Sequence, residues 1–251
     1  MRFAGKVLFA TGAASGIGQA AARRFAMEGG RIAIADIDGA RAAAAAREVP
    51  DAIGIACDVA DEASVRSAVA ETVARLGPFS CVLNAAGHAS FGRLGDLALV
   101  DWNRMLAVHA TGTFLVCREA LPILRQAGGG AIVNVASIAA LVGRDGVGGY
   151  SAAKGAILAL SRQLAIEVAG DGIRVNVVAP GHVRTAMTEP LFVARGGGDY
   201  EKGVASAVQH TPQRRSAEPE EIAAPICFLL SDEASFFTGT LLVPDGGATA
   251  L

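Results

Sequence analysis

Short apolar, β-branched runs alternate with helix-forming segments along almost the whole chain, and this alternation limits the fold more than any other feature. Several of the runs are apolar on both faces, which is typical of a parallel sheet covered by helices on each side. The predicted strands are Lys6–Thr11, Arg31–Ala35, Ile53–Cys57, Ser80–Asn84, Ala131–Ala136, Ile173–Ala179 and Thr240–Val243. The sequence therefore predicts an α/β fold with a doubly wound parallel sheet of about seven strands and helices on both faces.

The segments between these runs carry helical signals. Residues 61–76 place an apolar stripe along one side, with Asp61 suited to cap the start and Gly77 to end the helix. The alanine run Ala42–Ala46 strongly favours helix, and we predict a surface helix there. Pro225 lies inside a helix that would begin near residue 219, so that helix either bends or starts later.

We expect a single domain over residues 1–251, because no linker or internal repeat interrupts the pattern. The glycine run Gly196–Gly198 breaks the alternation after the sixth strand, and we predict a mobile loop at about 187–213.

Composition excludes several classes of function. The chain is 52% apolar and 18% charged with a net charge of −2, which permits a large core and argues against a nucleic-acid or anionic-membrane partner. No apolar run reaches the ~18 residues of a membrane span, and Met1–Lys6 has no signal-peptide pattern, so we expect a cytoplasmic protein. The four cysteines form no Cys-x-x-Cys pair and the four histidines show no ligand spacing, so no structural metal is expected.

A glycine-rich turn follows the first predicted strand and precedes a helical pattern. Gly12, Gly16 and Gly18 permit a tight turn, while Ser15 and Ile17 lie between them at the helix start. Backbone N–H groups at such a helix start can bind a pyrophosphate. This arrangement predicts a Rossmann-type dinucleotide site.

Asp36 closes the second predicted strand and indicates which dinucleotide is bound. A carboxylate at this position can bind both hydroxyls of the adenosine ribose and repels a 2′-phosphate. No Lys or Arg lies between Gly12 and Gly18 to attract that phosphate. The sequence therefore favours NAD(H) over NADP(H).

Tyr150 and Lys154 are four residues apart, which on a helix places a phenol and an ammonium on one face. A nearby cation stabilises a phenolate and lowers the tyrosine pKa from its ordinary value of about 10. The pair therefore predicts a group that moves a proton on or off a substrate oxygen.

Together these features resemble the short-chain dehydrogenase/reductase family in its single-domain form, over essentially the whole chain. The resemblance also rests on Ser137, which precedes Tyr150 by thirteen residues. It extends to Cys57-Asp58-Val59, Asn84-Ala85-Ala86-Gly87, the segment from Pro180 to Thr185, and Asp245-Gly246-Gly247. It implies that Tyr150 is the general acid/base, that Lys154 lowers its pKa and binds the nicotinamide ribose, and that Ser137 steadies the substrate oxygen. The implied cofactor contacts are Gly12, Ser15, Gly16, Ile17, Gly18, Asp36, Asp58, Val59, Asn84, Ala85, Gly87, Tyr150, Lys154, Pro180, Gly181, Val183 and Thr185.

His109 departs from the family pattern, because an asparagine usually occupies this position in the long helix after the Asn84–Gly87 motif. In the family that asparagine is thought to hold a water that links the lysine to solvent. Histidine can also donate and accept, so His109 either replaces the asparagine in a proton relay or is simply a buried helix residue.

The substrate is less well defined by the sequence. The resemblance implies a pocket that includes His88, Phe91, Ile138, Leu141, Val142, His182 and the loop 187–213. We predict His88, Leu141 and His182 as substrate contacts. The mostly apolar set suits a small secondary alcohol or ketone, and no basic cluster clearly indicates a carboxylate or coenzyme A clamp, although Arg144 and Arg184 could serve.

Three functions remain open. The first is an NAD(H)-dependent oxidoreductase of secondary alcohols and ketones. The second is a reductase of 3-oxoacyl thioesters of acyl carrier protein or coenzyme A, against which Asp36 counts because many such relatives prefer NADP(H). The third is a catalytically silent dinucleotide-binding sensor or scaffold. Relatives often form homotetramers through helices at about 100–125 and 150–169, so a homotetramer is expected, with a dimer as the alternative.

Overall fold

The computed structural model describes residues 1–90 and 92–250, so Phe91, a predicted pocket residue, lies outside the described residues. Seven parallel strands form one sheet in the order β3-β2-β1-β4-β5-β6-β7. The strands are β1 (Val7–Thr11), β2 (Arg31–Asp36), β3 (Ala52–Ala56), β4 (Cys81–Asn84), β5 (Gly130–Val135), β6 (Ile173–Val178) and β7 (Leu241–Leu242). All seven predicted strands are confirmed with ends that differ by at most one residue, and Asp36 is the last residue of β2.

Nine α-helices connect these strands in the described part of the chain. They are α1 (Gly16–Met27), α2 (Gly39–Arg47), α3 (Glu62–Leu76), α4 (Leu99–Leu106), α5 (Gly112–Gln126), α6 (Gly148–Val168), α7 (Glu189–Arg195), α8 (Tyr200–Ala207) and α9 (Pro219–Leu230). One hydrophobic core lies between the sheet and the helices α1, α2 and α9. A second core lies on the opposite face, between the sheet and the helices α3, α5 and α6. The Rossmann-type, doubly wound prediction is thereby confirmed.

Local signals explain most helix boundaries. The Asp61 carboxylate accepts the backbone N–H of Ala63 at 2.9 Å and begins α3, while Gly77 ends it with φ = +82°. Pro225 lies within α9, which begins at Pro219, so the helix does not start later as the second alternative required. The alanine run forms the predicted surface helix, α2, and its inner face packs against the sheet because small side chains permit close packing.

The long helix predicted near 100–125 is divided in the structure. A π-helical turn, Ala107–Thr111, lies between α4 and α5 and contains His109. Such a turn inserts an extra residue into the hydrogen-bond ladder and is common at functional sites. The second long helix, predicted at 150–169, is α6.

The segment predicted as a mobile loop contains two short helices, α7 and α8, which pack on each other. The glycine run Gly196–Gly198 forms the turn between them. Within the described residues, no helix is long and apolar enough to cross a membrane.

Candidate active site

A cavity of about 580 Å³ opens at the carboxyl ends of the strands. Chain order reverses there, because β1 is flanked by β2 on one side and by β4 on the other. This reversal is where doubly wound folds bind their ligands. The walls come from the segments after β1, β2, β3, β4, β5 and β6, and from the first turns of α6.

The turn after β1 forms one wall and fits a pyrophosphate. Gly12 has φ = +61°, and a Cβ on it would lie 2.5 Å from the Ala86 Cα, so only glycine permits this approach. Gly16 also has a positive φ, and the helix α1 that starts there has no acidic residue in its first turn and no side-chain cap from Ser15. The N–H groups at this helix start are therefore available to an anion in the cavity.

Asp36 lines the cavity at the end of β2 and is 6% exposed. Its Oδ1 accepts the backbone N–H of Asp38 at 3.2 Å and an N–H of the Arg41 guanidinium at 3.3 Å. Arg41 itself lines the cavity, half exposed. The carboxylate expected to recognise a ribose is therefore paired with a cation that the sequence analysis did not consider.

Two further segments border the same space. Asp58 and Val59 line it after β3, and the Asp58 carboxylate is oriented by the backbone N–H of Ala60 at 2.9 Å. Ala85 and Gly87 line it after β4.

The segment after β6 covers the glycine turn. Pro180, Gly181, Val183 and Thr185 all line the cavity, and a Cβ on Gly16 would lie 3.3 Å from the Thr185 Cγ2. Thr185 therefore lies next to the glycine turn that fits a pyrophosphate. The N–H groups at the start of α1, the glycine turn that contains Gly12 and Gly16, and the Asp36 carboxylate at the other end of the cavity together fit a nicotinamide dinucleotide.

Asn84 is an exception among the predicted cofactor contacts, because it does not line the cavity. It is buried, and its Nδ2 donates to the Asn134 Oδ1 at 2.8 Å. Asn134 in turn donates to the Ser161 Oγ at 2.8 Å, which ties the middle of the sheet to α6. Asn84 therefore supports the helix that carries Tyr150 and Lys154.

Ser137, Tyr150 and Lys154 line one wall of the cavity together. The Lys154 Nζ donates to the Val135 carbonyl oxygen at 2.7 Å and lies 5.6 Å from the centroid of the Tyr150 ring. The Ser137 Oγ accepts the backbone N–H of Ala139 at 3.2 Å, which fixes the side chain at the end of β5.

Burial is the largest influence on the pKa values of Tyr150 and Lys154. It raises the pKa of the Tyr150 phenol to about 12, opposed by a hydrogen bond with Ser137. It also lowers the pKa of the Lys154 ammonium to about 7. The expected depression of the Tyr150 pKa by Lys154 is not found in this arrangement, because the lysine donates to the Val135 carbonyl while loss of solvent disfavours the phenolate.

His109 lines the cavity from the π-helical turn and is 1% exposed. Its Nε2 lies 2.8 Å from the His88 carbonyl oxygen, and its ring meets the Tyr150 ring edge-on with centroids 5.5 Å apart. The Nδ1 is buried with no hydrogen-bond partner. Burial, followed by the Lys154 charge, lowers the pKa of His109 to about 2.

The predicted substrate contacts divide into two groups. His88 lines the cavity and stacks on His109 with ring centroids 5.4 Å apart. Leu141 does not line the cavity; it lies at the end of a short 3-10 turn and is partly exposed. His182 lies beside a second, smaller cavity of about 230 Å³. Ile138 and Val142 also lie outside the main cavity wall.

A family model described as Enoyl-(Acyl carrier protein) reductase matches residues 12–249. The chain belongs to the short-chain dehydrogenase/reductase family. Its seven-stranded sheet and the placement of Ser137, Tyr150 and Lys154 on one cavity wall agree with the motifs that suggested the family from sequence. The chain is accordingly an oxidoreductase of this family, whose dehydrogenases use nicotinamide dinucleotides.

Two curated relatives and one solved structure define this similarity. The "Inactive 2-(S)-hydroxypropyl-CoM dehydrogenase 2" of Xanthobacter autotrophicus is 42% identical over 232 residues, covering 92% of this chain and 100% of the relative. The D-threitol dehydrogenase of Mycolicibacterium smegmatis is 40% identical over 252 residues, covering 99% of this chain and 94% of the relative. The crystal structure of levodione reductase superposes with a TM-score of 0.93 at 33% identity, covering 99% of each chain.

Sequence reasoning missed several residues of the cavity wall. Arg41 lies in the first turn of α2, where the Asp38 carboxylate accepts its backbone N–H at 2.9 Å. Placing a helix start directly after Asp36 would have brought it into consideration. Arg104 and Val108, one turn apart, line the cavity near His88. Nothing in the local pattern distinguishes Arg104 from an ordinary exposed arginine.

Proposed function

We propose that the protein is an NAD(H)-dependent oxidoreductase that interconverts a secondary alcohol and a ketone, with Tyr150 as the general acid/base. The observation that carries the proposal is the single cavity shared by the glycine turn, Asp36, and the Ser137, Tyr150 and Lys154 side chains. The dinucleotide, when bound, supplies or accepts the hydride. The protein's own residues need to bind, orient and exchange one proton.

Tyr150 suits the proton transfer in the reductive direction. With its pKa raised to about 12, the phenol is protonated at neutral pH and can donate to the developing alkoxide. Ser137, beside it, can hydrogen-bond the same substrate oxygen. Lys154, fully buried, has further N–H donors beyond the one given to Val135, and these can bind a ribose hydroxyl.

NAD(H) is favoured by Asp36, whose carboxylate borders the cavity where an adenosine ribose would lie. A 2′-phosphate at this position would meet that negative charge. Arg41 offsets part of the charge through its hydrogen bond to Asp36, so we expect a preference for NADH that is clear but moderate.

The substrate side of the cavity suits a small molecule. Ala89, Val108 and Met187 supply apolar wall, and His88 adds a polar ring. The relatives named for a sugar alcohol and for levodione support a compact alcohol or ketone.

The test is turnover of a small ketone panel, including acetoin and acetoacetyl-CoA, with NADH and NADPH for the wild type and Tyr150→Phe. Reduction of small ketones that prefers NADH and is lost in Tyr150→Phe is the expected result. Tight NADH binding without turnover of any ketone would instead support the silent sensor, a possibility consistent with the relative named as inactive.

A reductase of 3-oxoacyl thioesters is the second candidate, because the description of the matching family model also names a thioester of acyl carrier protein. Asp36 counts against it for the reason given above. Faster reduction of acetoacetyl-CoA than of acetoin, with NADPH preferred, would make it the better description.

The homotetramer proposal is supported by apolar side chains left exposed on the long helices. Phe114 of α5 is 43% exposed and Ile166 of α6 is 79% exposed. A subunit contact through α5 and α6 would cover both of these apolar side chains. Light scattering on a sizing column gives the subunit number directly, and a monomer would refute the proposal.

A further inference from the structure

The imidazole of His88 lines the same cavity as Ser137 and Tyr150 and is partly buried. Its two ring nitrogens make no hydrogen bond within residues 1–90 and 92–250, where the contacts of His88 are made by its backbone N–H and carbonyl. A buried or partly buried imidazole needs a partner for its nitrogens. The ring is therefore available to a polar group of a ligand in the cavity.

Contacts with His109 fix the position of His88. The His109 Nε2 lies 2.8 Å from the His88 backbone oxygen and 3.3 Å from the His88 backbone nitrogen. The two imidazoles also stack, with centroids 5.4 Å apart and planes inclined by 25°. These contacts use the backbone and the ring face of His88, so they hold the ring in place without occupying its nitrogens.

His88 also lies near the proposed proton donor. The His109 ring contacts both His88 and the Tyr150 ring, which it meets edge-on with centroids 5.5 Å apart. A small substrate whose oxygen is held by Tyr150 and Ser137 can therefore extend to His88. The other side chains on this part of the wall include the apolar residues Ala89, Val108 and Met187.

The protonation state of His88 indicates which group it would bind. Burial, followed by the Arg104 charge, lowers the pKa of His88 below its ordinary value of about 6.5, and the Asp101 charge opposes this shift. The ring is thus neutral at physiological pH and carries one N–H donor and one nitrogen acceptor. A hydroxyl can pair with either nitrogen, because it both donates and accepts, whereas a carboxylate can pair with the N–H alone.

We propose that His88 binds a second hydroxyl of the substrate, on a carbon near the reacting one, so that the natural substrate is a polyol or the corresponding hydroxy ketone. This assignment rests on the proposed oxidoreductase function and narrows its substrate class. It adds one polar contact, beyond Ser137 and Tyr150, to the mostly apolar pocket that the sequence predicts.

The first test compares hydroxy ketones with their methyl ethers, using acetoin and 4-hydroxybutan-2-one against 3-methoxybutan-2-one and 4-methoxybutan-2-one. Each ether keeps the oxygen and its inductive effect on the carbonyl but loses the O–H donor. The ratio of kcat/KM for hydroxy ketone over ether is measured for the wild type, His88→Phe and His88→Gln. Phenylalanine keeps a ring to stack on His109, and glutamine keeps a donor and an acceptor. His210→Phe is the matched control, an exposed histidine outside the cavity wall.

We expect the wild-type ratio to exceed about tenfold for the better-fitting pair, the effect of one hydrogen bond whose loss leaves a polar group unpaired. His88→Phe lowers that ratio at least about fivefold, His88→Gln lowers it less, and His210→Phe leaves it unchanged. A wild-type ratio near one overturns the proposal even though the oxidoreductase function stands. A fall in His88→Phe that is equal for both ketones of a pair also overturns it, because such a fall reports a structural role alone.

Acetoacetate tests a charged alternative, because the Arg104 guanidinium lines the same cavity. This keto acid places a carboxylate where 4-hydroxybutan-2-one has its CH₂OH group. We expect kcat/KM for the better hydroxy ketone to exceed that for acetoacetate at least about fivefold. The reverse order, abolished in Arg104→Gln, would assign an anionic substrate to this wall and refute the hydroxyl contact.

A binding measurement separates this proposal from the proposed function. Ligand-observed NMR gives the dissociation constants of the hydroxy ketone and its ether for the complex of Tyr150→Phe with NADH, in which turnover is blocked. Binding of the hydroxy ketone at least about fivefold tighter than the ether, lost when His88→Phe is added, supports the contact even if the wild type reduces no ketone. Equal dissociation constants for the two ligands refute it.

Discussion

The Nε2 of His109 lies 2.8 Å from the backbone oxygen of His88 and 3.3 Å from the His88 backbone nitrogen, and the shorter contact, which needs a donor opposite the oxygen, favours the tautomer with the proton on Nε2. The opposite nitrogen, Nδ1, is left as a buried acceptor without a partner. Because burial and the nearby Lys154 charge lower the pKa of His109 to about 2, the ring stays neutral at any pH the enzyme experiences. A relay through His109 would therefore use Nδ1 as a hydrogen-bond acceptor and would not involve protonation of the ring.

Substitution of His109 tests this distinction. His109→Asn retains an acceptor and should keep kcat within about threefold, whereas His109→Leu should lose about tenfold or more, the effect of one buried hydrogen bond. Neither variant should alter the shape of the pH profile, since a neutral ring contributes no titration. A shifted pH profile in His109→Leu would show that the ring titrates. Equal activity of both variants would exclude a relay role for His109.

Tyr150 should give the two reaction directions opposite pH dependence. Reduction needs the protonated phenol and falls only as pH approaches its raised pKa of about 12, while oxidation needs the phenolate. The kcat/KM for alcohol oxidation should therefore rise about tenfold per pH unit from neutrality while the phenol remains mostly protonated. Tyr150→Phe should lower the rate about 10²- to 10⁴-fold, and its kcat/KM for oxidation should no longer rise with pH. A flat oxidation profile in the wild type would exclude Tyr150 as the base.

The sequence predicted the fold closely because strand and helix signals agreed at almost every element. It also predicted most cavity residues, since glycine turns and strand-end acids have fixed places in a doubly wound sheet. It could not predict the Arg41–Asp36 contact or the Arg144–His182 contact, which join residues on different elements or depend on how a loop folds. Asn84 was expected at the cofactor but does not line the cavity, and its amide donates to Asn134, which links the sheet to α6.

Asp36 and Arg41 should act in opposite directions on cofactor choice. Asp36→Ala removes the ribose acceptor and the repulsion of a 2′-phosphate, so the NADH/NADPH ratio of kcat/KM should fall about tenfold or more. Arg41→Ala removes the cation and should raise that ratio. The double variant should use NADPH less well than Asp36→Ala alone, because Arg41 is then the phosphate's remaining partner on this wall. An unchanged ratio in Asp36→Ala would contradict the NAD(H) assignment.

The charged, buried ammonium of Lys154 should lower the free energy of unfolding of the protein at mildly acidic pH. Its folded pKa of about 7 lies below the unfolded value of about 10.4, so the unfolded chain holds the proton between these values and wild-type stability rises with pH in that window. Lys154→Met should therefore melt about 2–4 °C higher than the wild type at pH ~6, roughly 1 kcal/mol, with the gap narrowing towards pH ~9. Exposed Lys202→Met serves as control. A gap independent of pH would be inconsistent with a buried, titrating Lys154.

Closure of the segment 187–213 over the cavity can be followed with trypsin, because Arg195 and Lys202 lie on either side of its glycine turn. The base of the segment is held by the Thr188 hydroxyl, which donates to the Val183 oxygen at 2.6 Å, and the helices α7 and α8 pack on each other. If the segment is a lid, NADH with a bound substrate analogue should slow cleavage after these two residues at least about fivefold, while NADH alone protects less. Cleavage elsewhere, for example after the exposed Arg47, should not change and serves as the internal control. Equal cleavage rates with and without ligands would show that the segment does not close.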